Sequence, residues 1–146
     1  MADGIFNISK GAFVEKIRDA SGNTFLLLLK AAEADGTLID YDDVAAMLGA
    51  AGNTEADFTN YARKTGITST ITVDDSNDRV DVDAPDQTFS SAGGTTDNTL
   101  VKAIFGEDEG GTDATRIPTS HHDFSAQTDG NDLTLQLAAS GYARAA

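Results

Sequence analysis

The chain has 146 residues, with 24 Asp and Glu against ten Lys and Arg for a formal net charge of -14, and it contains neither cysteine nor tryptophan. That length is about one domain, with roughly 68–70% of the unfolded chain's surface available for burial. Such acidity excludes a surface built to approach phosphates or anionic lipid, so nucleic acid and membranes are not expected partners. Without thiols there are no disulfides and no thiolate metal sites.

The N-terminus has no basic start leading into an apolar run, and no stretch approaches the ~20 apolar residues that cross a bilayer. Residues 4–8, GIFNI, are apolar and read as an edge strand or as an arm (residues 1–9) tied down on a neighbour. Residues 9–19, SKGAFVEKIRD, lean to strand, and Ser21-Gly22-Asn23 is a turn signal. Residues 24–29, TFLLLL, read as a central strand buried on both faces.

A single short helix is expected near residues 41–50. Asp40 stands where it can cap the first turn, Asp42 and Asp43 suit the positive end of the dipole, and Val44, Met47 and Leu48 form the packing stripe. Residues 59–65, TNYARKT, read as a strand with Tyr61 and Arg63 facing outward. The clearest alternation lies at 67–86, where Ile67, Ser69, Ile71 and Val73 precede the turn DDSNDR and Val80 and Val82 follow it. This is a β-hairpin with one buried face, ended by Pro85, which has no N–H to donate.

Residues 90–98, SSAGGTTDN, read as a flexible polar linker, 99–105 as a strand, and 106–113 as a long acidic loop. A second hairpin is expected from Phe124, Ala126 and Thr128 through the turn Asp129-Gly130-Asn131-Asp132 to Leu133, Leu135 and Leu137. Together these elements predict a mainly β fold, a compact β-sandwich or barrel of about seven or eight short strands with one helix, in one domain spanning 1–146.

The chemical motifs are weak. DDSND at 74–78 spaces oxygens like the start of a calcium loop, but Arg79 occupies the glycine position and Pro85 that of the bidentate glutamate. His121 and His122 point to opposite faces of an extended chain and read as turn or surface residues rather than ligands. With Asp123 and nearby serines they evoke a hydrolytic triad, yet no G-x-S-x-G elbow exists. The expectation is therefore no catalytic residue, no metal site and no cofactor. The interface candidates are the apolar N-terminal tip, Ile5, Phe6 and Ile8, and the C-terminal Tyr142 and Arg144, residue types favoured where proteins meet.

Three stretches, ADGIFNISKG, VDDSNDRVDVDAPDQTF and IPTSHHDFSAQTDGNDLTLQLAASGYARA, resemble a group of small virion proteins of tailed bacteriophages. The resemblance implies a structural component of the virion, made in the host cytoplasm without a signal peptide and placed on the outer face of the capsid as a decoration or cement protein. It implies the major capsid protein as partner and a homo-oligomer, often a trimer in that functional class, with a terminal arm reaching onto the shell. A tail structural protein and a glycan-binding surface module are the alternatives.

Overall fold

The computed structural model describes residues 4–6, 23–77 and 79–145. In chain order these form β1 (Gly4–Ile5), β2 (Thr24–Ala31), α1 (Asp35–Leu38), α2 (Val44–Gly49), β3 (Thr54–Glu55) and β4 (Lys64–Ile67). There follow β5 (Thr70–Asp74), β6 (Arg79–Asp83), β7 (Gln87–Phe89), β8 (Thr99–Asp108), β9 (Arg116–Gln127), β10 (Leu133–Leu135) and β11 (Ala143–Ala145). The strand reading of 9–19, the turn at 21–22, Ile8 and Asp78 lie outside the described residues.

The fold is mainly β, as expected. A six-stranded antiparallel sheet runs β1-β9-β8-β2-β3 with β4 also on β2, beside a two-stranded sheet, β10-β7, and a three-stranded sheet, β11-β6-β5. The sheets do not close into a barrel. The strands outnumber the seven or eight expected because several are only two or three residues long, too short to show a period.

Both faces of the large sheet are covered, and β2 shows why FLLLL at 25–29 is apolar throughout. Leu26 and Leu28 enter a core shared with Ala103, Phe105, Val82, Phe89, Leu135 and Tyr142, which glues the two small sheets to one face. Phe25, Leu27 and Leu29 point the other way, into a core with Phe6, Ile104 and the helix residues Leu38, Val44 and Met47. Alternation persists; both sides are simply dry. On β8 a register shift between Leu100 and Lys102 resets the alternation. Leu100 and Ala103 thereby share one core, while Lys102 turns to the helix side.

Several expectations are corrected. The cap of α2 is Asp43, whose carboxylate accepts from Ala46 N at 2.7 Å, not Asp40. A second helical turn, α1, precedes it. At 59–65, Asn60 takes a left-handed backbone (φ 69°) that breaks the chain's extension, and the strand starts only at Lys64. Tyr61 accordingly turns inward, stacked on Phe89 at 6.0 Å. The acidic loop starts later than 106, since Gly106, Glu107 and Asp108 belong to β8.

The expected C-terminal hairpin does not form. β9 pairs with β8 and β1, whereas β10 pairs with β7. The turn at 129–132 instead passes the chain from one sheet to another. It is held by stretch 90–98, where the carbonyl of Ala92 accepts from Asp129 N and Gly130 N, and Ala92 N donates to Asn131 O. That stretch is no loose linker. Ala92 is fully buried, Gly93 N donates to Thr59 O, and the Asn98 side chain bonds both the backbone N–H and the carboxylate of Asp57.

Candidate functional site

The two ends of the chain meet at β9. β1 lies antiparallel on its outer edge, with Gly4 opposite His121 and Ile5 opposite Ser120, and Phe6 N donates to Thr119 O at 3.2 Å. Gly4 has to be glycine there, because a Cβ would stand 2.5 Å from His121 Nε2. β1 covers only two residues of a twelve-residue strand. Among the described residues no strand pairs with the outer edge of β9 beyond His121.

From the other end, Tyr142 and β11 approach the same place. Gly141 makes the approach, with φ +76° and a would-be Cβ only 2.1 Å from Val82 O. Between the ends lies a groove of about 290 Å³ lined by Gly4, Ser120, His122, Ser140, Tyr142 and Arg144, among others. It adjoins a second depression of about 240 Å³, which shares His122 and Ser140 and extends to Phe124 and Leu137.

Of the five interface candidates, Tyr142 and Arg144 line this groove. Phe6 is fully buried in the helix-side core, edge-on to His121 at 5.9 Å. Tyr142 is 3% exposed, stacked on Phe105 at 4.6 Å, as it would be if it simply packed on its own sheet. Its hydroxyl lies 2.8 Å from Ser69 Oγ and 3.4 Å from Thr24 Oγ1. Burial pushes the phenol above its ordinary range, so it stays protonated. Arg144 is at the surface and pairs through Nε with Asp81 at 2.6 Å. Ile5 contributes its backbone to β1, and Ile8 lies outside the described residues. The structure thus gathers both ends of the chain, but offers the strand edge and Arg144 at the surface rather than the aromatic rings.

Neither histidine lies in a turn, and His121 is buried, whereas His122 is part-buried and lines the groove. Both sit inside β9 on opposite faces, His121 buried toward Phe6 and His122 edge-on to Phe105 at 5.9 Å on the other side. Ser120 Oγ lies 3.1 Å from His122 Nε2, the spacing of a nucleophile and its base. The same nitrogen lies 2.8 Å from the carbonyl oxygen of Tyr142. A carbonyl only accepts, so Nε2 carries the hydrogen and has no lone pair with which to take the serine proton. Asp123, the third member of the imagined triad, is committed to Lys102 at 2.5 Å.

The remaining charge is organised as structural ties. Lys102, 5% exposed, bridges Asp35 of α1 and Asp123 of β9, each at 2.5 Å. Burial acts to lower its pKa, but the hydrogen bonds it donates to the two carboxylates outweigh it and hold it above the ordinary lysine range. Arg63 forks onto Glu55 through two contacts of 2.6 Å and also meets Asp113, which binds Arg116 at 3.1 Å. The hydrogen bond from Arg63 keeps the Asp113 carboxyl below the usual carboxylate range. Ala45 N donates to Asp113 O at 3.0 Å, fastening the start of α2 to the same knot. No group of three or more His, Asp or Glu among the described residues is arranged to hold a metal ion.

No protein-family model, curated protein or solved structure matches the chain.

Two further features that residue patterns missed bear on function. Every aromatic ring among the described residues is at least half-buried, which leaves no exposed platform for stacking a sugar. The hairpin of β5 and β6, expected to bury one face along its length, exposes Val73 at 65% near its tip. Alternation gives the face a residue is on, but not how far the core extends beneath it.

Proposed function

We propose that the chain is a non-enzymatic virion structural protein that decorates and stabilises the outer face of a phage capsid through contacts with the major capsid protein. The observation that carries this reading is the meeting of both ends of the chain at β9, where β1 alone among the described strands pairs with the outer edge, beside a groove bordered by Arg144. An uncovered edge gains main-chain hydrogen bonds from an added extended segment without any chemical step. The three stretches that resemble phage virion proteins include both of these ends, ADGIFNISKG and the segment through Tyr142 and Arg144. A net charge of -14 suits a protein that must not compete for packaged DNA.

The test is reconstitution. Shells lacking this protein are incubated with the purified chain, sedimented and heated. Stoichiometric co-sedimentation and a raised disruption temperature are expected. Failure to rebind, or rebinding with no gain in thermal stability, refutes the reading.

A further inference from the structure

We propose that two copies of this chain pair through the outer edge of β5, in antiparallel fashion across a two-fold axis, joining the two three-stranded sheets into one. This goes beyond the capsid reading and does not depend on it.

The open edge is identified by its hydrogen bonds. β5 is bonded to β6 alone among the described strands, with Ile71 opposite Val82, Thr72 opposite Asp81 and Val73 opposite Val80. The carbonyl of Val82 accepts from Tyr142 N at 2.9 Å, so the backbone groups of Val82 face β11. Its cross-strand pair with Ile71 is then the kind without mutual hydrogen bonds. Ile71, and by alternation Val73, must turn their N–H and C=O groups outward, to the open side.

The side chains on this sheet form two apolar rows. Ala143, Val82 and Ile71 make the inner row, which packs in or against the core. Ala145, Val80 and Val73 make the outer row, which runs on beyond it until Val73 stands 65% exposed. The opposite face is polar, with Asp81 held by Arg144 and flanked by Thr72.

These features select the occupant. An antiparallel partner strand that uses both outward-facing residues places Ile71 opposite Val73 of the other copy and Thr72 opposite itself. In that register the exposed outer row of each copy continues into the inner row of its neighbour, so each Val73 covers the edge of the neighbour's core. The two Asp74 carboxylates fall opposite Thr70, at opposite ends of the ladder. Charge points the same way: no charged residue stands between Lys64 and Asp74, in a chain where 23% of residues are charged. Two molecules of charge -14 repel almost everywhere else, and this uncharged, β-branched edge is where they can approach. A pair of this kind differs from the trimer that the phage resemblance implies.

The chain has no cysteine, so Thr72→Cys introduces a single thiol on the proposed axis. Directly opposed residues in an antiparallel pair without mutual hydrogen bonds have Cα atoms about 4.5 Å apart, within the span of about 4.4–6.8 Å that a disulfide bridges. Under mild oxidation Thr72→Cys should run as a covalent dimer, and adding Val73→Pro, which deletes an outward N–H, should abolish the cross-link. Light scattering on the native chain should give twice its 15.2 kDa, more completely at high salt, where repulsion is screened. Thr72→Lys should be monomeric with an unchanged circular dichroism spectrum, and its melting temperature should match that of the native chain diluted until it dissociates. A native mass of one or three chains, a Thr72→Cys thiol that stays free, or a dimer that survives Thr72→Lys overturns the proposal.

Discussion

Gly141 fixes how the C-terminal segment reaches the groove. Its φ of +76° and the 2.1 Å that would separate a Cβ from Val82 O mean that any side chain must push the turn off β6. Gly141→Ala should therefore cost about 1–2 kcal/mol from the left-handed backbone alone, with the clash adding to it, measured by chemical denaturation. Asp113 makes a different prediction. Its folded pKa lies below the ordinary 3.8, chiefly through the hydrogen bond from Arg63, so the unfolded chain binds its proton more readily. The stability it contributes is fully present above about pH 4 and is lost as pH falls through the folded value. Asp35, held down by Lys102, acts in the same direction. Asp113→Asn should lower stability at pH 7 and flatten its decline in acid, a modest effect because the carboxylate is part-exposed and screened. A set of urea titrations from pH 7 down to 3 reads it directly.

Among the elements, the β5–β6 hairpin divides into a core half and a surface half. Ile71 packs against the core, whereas Val73 two residues on is exposed. Ile71→Asp should destabilise the fold by about 3 kcal/mol or more, since it sets a charge against the core. Val73→Asp should leave the monomer's stability nearly unchanged, and Asp75→Ala in the turn should fall within about 0.5 kcal/mol. Thermal melts of the three variants at low protein concentration separate these cases.

The parts of the fold that could be read from residues were those with a strong local signal. TFLLLL announced a strand dry on both sides, and the alternation at 67–86 located β5 and β6 with their turn. What failed depended on partners distant in sequence. The signal Asp129-Gly130-Asn131-Asp132 marks a turn, but cannot say whether Leu133 returns to Phe124 or crosses to Phe89; here it crosses, because Ala92 holds the turn. Residues 90–98 looked loose because their hydrogen bonds go to Asp57, Thr59 and Thr128, 30 or more positions away. Asp40 and Asp43 are the same residue type a few positions apart, and only the backbone decides which caps. At the candidate site, Phe6 and Tyr142 read from the sequence as interface residues, and nothing in the sequence signals that their rings face their own cores. The pairing of β1 with His121 and Ser120 is a fact of tertiary structure that no local pattern in residues 4–6 announces.

The whole molecule combines an acidic, ion-paired exterior with two stretches of strand edge that have different proposed uses. The β9 edge beside the groove is the proposed contact with the shell; the uncharged β5 edge is the proposed contact between copies. The two are separable, since Thr72→Lys should abolish self-association and leave shell binding by single copies intact, as co-sedimentation would report. The central claim is that this chain sits on the outside of a capsid, and its location in the intact particle tests that most directly. Gold-labelled copies imaged on whole virions should lie over the outer face of the shell in a regular array. Label confined to the tail, or absent from the particle, would contradict the account.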